Sequence, residues 1–431
     1  MNVKHSPASW YLRLVLVLAF LVVLVSLMDR YVVSILLEQI KLDLDLTDTQ
    51  LGWLVGPAFV ITHILSQLPL ARIADKYNRR NMIAWAIFLW SLFTAAAGLA
   101  KTFGQLFVVR MGVGITEAAS SPALASLLSD IFGIRKRGLA MSMLSIGGVA
   151  GIGAGMLLGG IIGQAYGWRT ALIVAGLPGV CLSLLFWLVI KEPNRGTYGN
   201  TVSNLEEQQG ILTVLRVLLA KRSFRWLIFG ASLSMVTAIG RGAWEPVFLI
   251  RIYQLEQAKA GLVYFLISPL PSVLGGIAGG LLIDRLAARD LRWYGWLPAI
   301  ALIASLPFTC AFLLLPATVT FGAGALPAGL LFSILGSLLG AMLSPALIAT
   351  AQSLADSSMR AMAHAIWTMA ANLVGMGIGP VAAGWLSTIM TPIYGTDAIR
   401  YSLLIVTLVA LPASLAMIIA ARSIRKEAII D

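Results

Sequence analysis

Three places in the sequence set ionisable side chains among apolar neighbours. Asp29 and Arg30 are adjacent in "LVSLMDRYVV", inside a greasy run from Leu12 to Leu37. Arg110 and Glu117 stand seven residues apart in "RMGVGITEAASSPAL", and Arg241 and Glu245 four apart in "IGRGAWEPVF". A charge in hydrocarbon costs roughly 2.5–3.5 kcal/mol on insertion scales, so such groups pair with one another or line a watery cavity. The chemistry open to them is proton exchange at a carboxylate and electrostatic holding of a charged solute. Burial disfavours a charged carboxylate and a nearby guanidinium favours it, so a pair that separates and rejoins can take up and release a proton. The alternative is a permanent salt bridge between helices.

Helix geometry constrains the partners. Successive residues point about 100° apart, so Asp29 and Arg30 face different neighbours. Arg110 and Glu117 share a face, about 10 Å apart along the axis. If their helix runs inward and that of Asp29 outward, Asp29 falls between them in depth. Arg110 can then bridge to Asp29, with Glu117 below. Arg241 and Glu245 either satisfy each other across one turn or contact a charged substrate. Trp244 between them is a cavity wall or plain packing. His63 and His364 sit alone in apolar stretches and read as hydrogen-bonded structure sooner than as proton relays.

These residues need a membrane scaffold. Of the 431 residues, 59% are hydrophobic and 12% charged, against roughly 25% charged in soluble domains. A spanning helix takes about 20 apolar residues. Twelve stretches qualify: 12–37, 50–71, 81–100, 104–131, 138–165, 169–190, 224–251, 259–283, 293–315, 323–354, 361–390 and 398–421. They are numbered here as spans one to twelve. The short alternating segments of a β-barrel are absent. Span one lacks an A-x-A-like cleavage site and is expected to be retained. Cys181 and Cys310 fall in apolar helices and read as core residues. No metal-ligand spacing, P-loop or nucleophile elbow is present, and no enzyme is expected.

The net charge of +12 does not imply nucleic acid, because its distribution is topological. Loops on the N-terminal side hold 22 Lys and Arg, those on the other side 6. The positive-inside rule then puts both termini in the cytoplasm. The polar stretch 191–223 divides a bundle at 1–190 from one at 224–431. Residues 205–220 allow an amphipathic helix on the inner leaflet, though a plain linker is the favoured reading.

The halves echo each other. "SPAL" occurs at 121–124 and again at 344–347, each followed by an acid, Asp130 and Asp356. "ARIADKYNRR" at 71–80 is answered by "GLLIDRLAAR" at 280–289, and "YGWRTALIV" at 166–174 loosely by "YGTDAIRYSLLIV" at 394–406. Two six-helix bundles about a pseudo-two-fold axis are the expected fold, an all-α membrane protein with substrate held between the halves. Gly147, Gly151, Gly155, Gly159 and Gly163 form an every-fourth-residue stripe on span five. Spans eight and eleven repeat the theme with Gly275, Gly276, Gly279, Gly280, Gly375 and Gly379. Such stripes permit close backbone approach, as static packing or as surfaces that rock.

With these residues on the page, the chain resembles the major facilitator superfamily. Asp75, Lys76, Arg79 and Arg80 match the charges of the motif that follows span two, while Ala71 and Asn78 replace its two glycines. Within the superfamily the chain most resembles the spinster-like group, through "MDRY" at 28–31, "RMGVGITEAASSPALASLLSDIFGIRKRG" at 110–138, "DRLAARDLRWYGWLPAI" at 284–300 and "NLVGMGIGP" at 372–380. Arg241 is not part of that pattern.

The resemblance implies that spans one, four, seven and ten line a central cavity, placing Asp29, Arg30, Arg110 and Glu117 at the substrate, with Arg241, Trp244 and Glu245 as second-half contacts. Spans two, five, eight and eleven would form the interface between halves. Arg79 or Arg80 with Asp130, and Arg285 or Arg289 with Asp356, would latch the inner side, with Asp75 and Asp284 beside them. A secondary transporter of lysophospholipid or sphingoid-phosphate type solutes is implied. It would need no cofactor, use the proton as coupling ion and act as a monomer in a bacterial inner membrane. A small organic anion is the alternative substrate. A non-transporting receptor or scaffold is the alternative class.

Overall fold

The computed structural model describes residues 9–132, 134–193, 211–321, 326–355 and 359–427. Apart from a two-residue ribbon pairing Thr320–Phe321 with Leu326–Pro327, the regular structure of the described residues is helical. Nine helical stretches among them are long and apolar enough to cross a membrane. Gly138–Val189 takes in spans five and six, and Met362–Arg425 spans eleven and twelve. Span four is divided into Phe103–Glu117 and Ser120–Ile131, each too short to count alone. This division of the described residues is consistent with the twelve expected stretches.

The sequence echoes mark matched features of the backbone. Gly167 and Gly395, in the paired "YGW" and "YGT" strings, both adopt positive φ, 82° and 55°. This left-handed region costs glycine nothing, and each residue lies where the chain passes from one span to the next. The paired "SPAL" strings mark helix breaks. Pro122 is the third residue of Ser120–Ile131, and Pro345 is the third of Leu343–Ser353. Spans two and eight break the same way: Asp48–Val55 gives way to a helix starting at Pro57, and Gln257–Ile267 to one starting at Pro269. Proline lacks the N–H that an interior position must donate, but is at home in a first helical turn.

The chain forms two compact units. One comprises described residues within Met1–Leu44 and Ile61–Glu206, the other those within Asp45–Val60 and Glu207–Asp431. In the first, the span-five stripe lies on span one. A Cβ on Gly147 would stand 2.7 Å from the Phe20 carbonyl oxygen, and one on Gly155 2.6 Å from that of Met28. One on Gly159 would stand 2.7 Å from Ile35 Cγ2. Gly151 lies as tightly on Leu24, and Gln39 Nε2 donates to the Gly163 carbonyl at 2.8 Å. The second unit repeats this between spans eleven and seven: Cβ atoms on Gly375 and Gly379 would meet Met235 Cβ at 2.5 Å and the Val236 carbonyl at 2.7 Å. Gly275 and Gly279 of span eight lie against Leu338 and Met342.

The helix Asp48–Val55 packs within the second unit. Thr47 and Gln50 form a capping box at its start. Buried Asp48 accepts from Arg251 Nη1 and Nη2 at 2.7 and 2.9 Å and from Ser387 Oγ at 2.6 Å. Where the sequence favoured a plain linker, Ile211–Ala220 is a helix that buries Val214 and Leu218 against Phe224, Leu227 and Leu354. Glu427 closes this corner. Its carboxylate accepts from the Arg222 and Ser223 backbone N–H groups and from Ser223 Oγ, at the start of the Arg222–Arg251 helix. Burial works against its charge, but these bonds and the nearby Lys221 ammonium outweigh it and hold the carboxyl below the usual glutamate range.

Replacing Gly155 with leucine should force span five off span one and cost roughly 1–3 kcal/mol, read as a lower Tm of the detergent-solubilised protein. Because the Glu427 carboxyl titrates lower in the folded state, its stabilisation is present above the ordinary glutamate value of 4.5 and lost as pH falls through the depressed one. A melting series through that window should show a loss in wild type that is missing in Glu427→Gln, the variant being less stable at neutral pH.

Candidate functional site

The charged residues of the first unit separate onto two sides of span one. Arg30 reaches span four: Nε lies 3.0 and 3.2 Å from the two Glu117 carboxylate oxygens, and Nη2 lies 2.6 Å from Oε1. Ser26 Oγ, one turn earlier, donates to the same Oε1. Asp29 turns to span three, where Thr94 Oγ1 donates to its Oδ2 at 3.2 Å. Its Oδ1 is buried and accepts no hydrogen bond from a described residue. This is the divergence that a 100° step imposes. Arg110, 4% exposed, stands within electrostatic reach of Glu117 and Asp29. The spacing argument had joined Arg110 to Asp29; the close ion pair to Glu117 comes from Arg30. His63, set aside in the sequence, also lies within electrostatic reach of Arg30 and Glu117.

A cavity of about 260 Å³ opens beside this pair. Arg30, Ser26, Ser120 and Ser121 supply its polar lining, and Val22, Val23, Leu27, Leu124 and Leu144 its apolar wall. The Arg30 side chain is 23% exposed and that of Glu117 1%. The guanidinium therefore faces the opening and the carboxylate lies behind it. Glu117 ends the Phe103–Glu117 helix, and Ser120 Oγ donates to its backbone carbonyl at the break.

The second unit carries its own charged cluster between spans seven and ten. Glu245 is fully buried, and Ser333 Oγ donates to its Oε1 at 3.0 Å. Arg241 Nε approaches Oε2 at 3.7 Å, while Nη1 and Nη2 donate to Thr309 at 3.0 Å and Ser337 at 3.5 Å. Trp244 is wholly buried and its indole N–H donates to the Pro380 carbonyl at 2.9 Å, so it shows no surface to a solute.

After span two, Arg79 is 3% exposed and bonds Asp130 at 2.6 Å, Glu192 at 2.8 Å and Ser126 at 2.9 Å. Arg80 lies over the Trp187 ring at 5.5 Å, and its backbone N–H donates to Glu192. Asp284, Arg285 and Arg289 are exposed. The Asp75 side chain and Asp356 lie outside the described residues.

Residues 19–380 match the family model of the Major Facilitator Superfamily. The chain belongs to the major facilitator superfamily. This superfamily member is 31% identical over 404 residues to an MFS-type efflux pump of Mycolicibacterium smegmatis, covering 93% of this chain and 90% of that protein. It is 26% identical over 312 residues to a probable L-galactonate transporter of Escherichia coli, 70% of this chain and 67% of the relative. It is 25% identical over 300 residues to a sphingosine-1-phosphate transporter of Danio rerio, 66% and 59%. Its fold matches the crystal structure of a bacterial homologue of the human lysosomal transporter spinster, in an inward-facing and unoccupied conformation, with a TM-score of 0.88 at 22% identity over 98% of this chain and 99% of that one. The protein is a multi-pass membrane transporter and not an enzyme.

Sequence reasoning missed Ser26, Thr94 and Glu192, and the Asp48–Arg251–Ser387 cluster. The capping-box pattern Thr47-x-x-Gln50 was the available signal that a helix starts at Asp48. Replacing Arg79 with glutamine should leave Asp130 and Glu192 without their shared cation. The expected loss is about 2 kcal/mol, between the values for exposed and buried pairs, measured as a thermal shift that is absent when Arg80 is replaced instead.

Proposed function

We propose that this transporter moves an amphipathic, lipid-like solute of lysophospholipid or sphingoid-phosphate type by alternating access, coupled to protons. The observation that carries the reading is the first-unit cavity, where a partly exposed cation and hydroxyls sit against an aliphatic wall. An anionic head group can take Arg30 in place of Glu117, and a chain can lie along Val22, Leu27 and Leu124. Glu117, its close ion pair broken, can then take a proton. When solute leaves, Arg30 returns and the proton is released. Asp29 is a second acid on which the proton can reside, and within the second unit Arg241, the less buried member of its pair with Glu245, is a group that can hold an anion. The Arg79–Asp130 pair acts as an inner latch, with the Asp284, Arg285, Arg289 and Asp356 group as its counterpart. The setting is a bacterial inner membrane, with both termini cytoplasmic and a monomer as the working unit.

A small organic anion is the second reading. The cavity of about 260 Å³ is slightly below the roughly 300–1,000 Å³ of common ligand sites, a size that suits a compact anion as well as a head group. A sugar-acid transporter stands among the relatives.

Counterflow in proteoliposomes with labelled lysophospholipid and with labelled aldonate separates the two readings. Glu117→Gln should retain counterflow but lose accumulation driven by a pH gradient by about tenfold, equivalent to 1.4 kcal/mol. Gradient-driven uptake that survives unchanged in both Glu117→Gln and Asp29→Asn would remove these acids from coupling. Silence of folded protein toward a broad solute panel would favour a receptor or scaffold.

A further inference from the structure

Among its described side chains, the helix Ile211–Ala220 is held to the second unit by Val214 and Leu218. With about 100° per residue, Val217 falls on one shoulder of the stripe these two form, Leu219 beyond the other shoulder, and Arg216 opposite the stripe. The exposures agree: Val217 is 38% and Leu219 39% exposed, and Arg216 is exposed. The apolar arc is therefore wider than the surface the protein covers.

Charge and position say what covers the rest. After one intervening residue, Lys221, a 30-residue candidate span begins at Arg222, so the short helix ends at the level where the chain enters the bilayer. Arg222 and Arg225 are exposed at that entrance. Lys221 is committed elsewhere, its ammonium donating to the carbonyls of Leu354 at 2.7 Å and Glu427 at 3.3 Å. Among the described residues, no carboxylate forms an ion pair with the guanidinium of Arg216, Arg222 or Arg225. Exposed aliphatic shoulders beside arginines that form no ion pair among the described residues, at a bilayer boundary, match the two parts of a phospholipid surface, acyl chains and phosphate.

We infer that Ile211–Ala220 and the first turn of span seven form a docking surface for anionic phospholipid head groups of the adjoining leaflet. Val217 or Leu219 enters the acyl boundary and Arg216, Arg222 and Arg225 hold the phosphates. The surface stands apart from the solute site and does not depend on which solute is carried.

The test uses the full chain carrying Cys181→Ser and Cys310→Ser, with a single fluorophore at Val217→Cys or Leu219→Cys, reconstituted in phosphatidylcholine vesicles. Quenching is compared between phosphatidylcholine and phosphatidylglycerol, each spin-labelled just below the head group and present at equal mole fraction. At least one position should be quenched, and more efficiently by the anionic lipid by about fivefold for each arginine engaged. Arg216→Gln/Arg222→Gln/Arg225→Gln should bring the two lipids to parity. If that variant does not fold, high salt on the wild type should screen the preference. Inorganic phosphate at the same ionic strength should do no more than salt. Parity in the wild type would overturn the proposal, as would a preference that survives salt. So would labels shielded from both lipids, the outcome expected if another stretch of protein covers the helix.

Discussion

The ion pair between Arg30 and Glu117 is the interaction on which the first unit is organised. Two full charges in an apolar bundle are tolerated because three nitrogen–oxygen contacts and a serine hydroxyl replace the lost water. The pair ties span one to span four at the point where span four breaks, and its cationic end faces the cavity. The glycine stripe makes this possible from the opposite side. By bringing span five into backbone contact with span one, it fixes the rotation of span one and hence the directions of Asp29 and Arg30. Glycines with no chemistry of their own thus set the register of the charges.

The second unit answers with a related but unequal device. Its carboxylate, Glu245, also joins the first and fourth helices of its half, through Ser333. Its guanidinium comes from its own helix, one turn away, and spends two of its nitrogens on hydroxyls. The repeat has therefore conserved the architecture and changed the electrostatics. One half holds a close interhelical ion pair, the other a looser intrahelical one braced by neutral groups. At the membrane boundary the halves differ again, with Arg79 buried between two carboxylates and its counterparts Arg285 and Arg289 exposed.

Much of this was legible in the sequence because low dielectric leaves few options. Length and hydropathy gave the spans, and the repeated strings gave the two bundles. The 100° step between Asp29 and Arg30 required different partners for each, and the motif charges after span two pointed to Arg79 or Arg80 with Asp130. Other features were illegible for stated reasons. The spacing argument joined Arg110 to Asp29 and left Glu117 below; only the tertiary rotation of span one reveals that Arg30 bonds Glu117. Asp48 reads as a loop-edge acid, since nothing local shows that it will be buried beneath Arg251 and Ser387. Ile211–Ala220 follows a polar stretch and is too short to stand alone as a helix; it forms because the unit accepts Val214 and Leu218. The "SPAL" echo was read as evidence of duplication, but its mechanical content lies in the proline.

Those prolines have a consequence for elasticity. Spans two, four, eight and ten each consist of two rigid cylinders joined at a point where the backbone ladder is interrupted. Bending is softest there, because the hydrogen bond that would resist it is already missing. The long stretch Ser9–Leu44, which holds no proline, acts as a strut by comparison. Strain on one half of the bilayer thickness is thus absorbed at such joints instead of being relayed along whole helices.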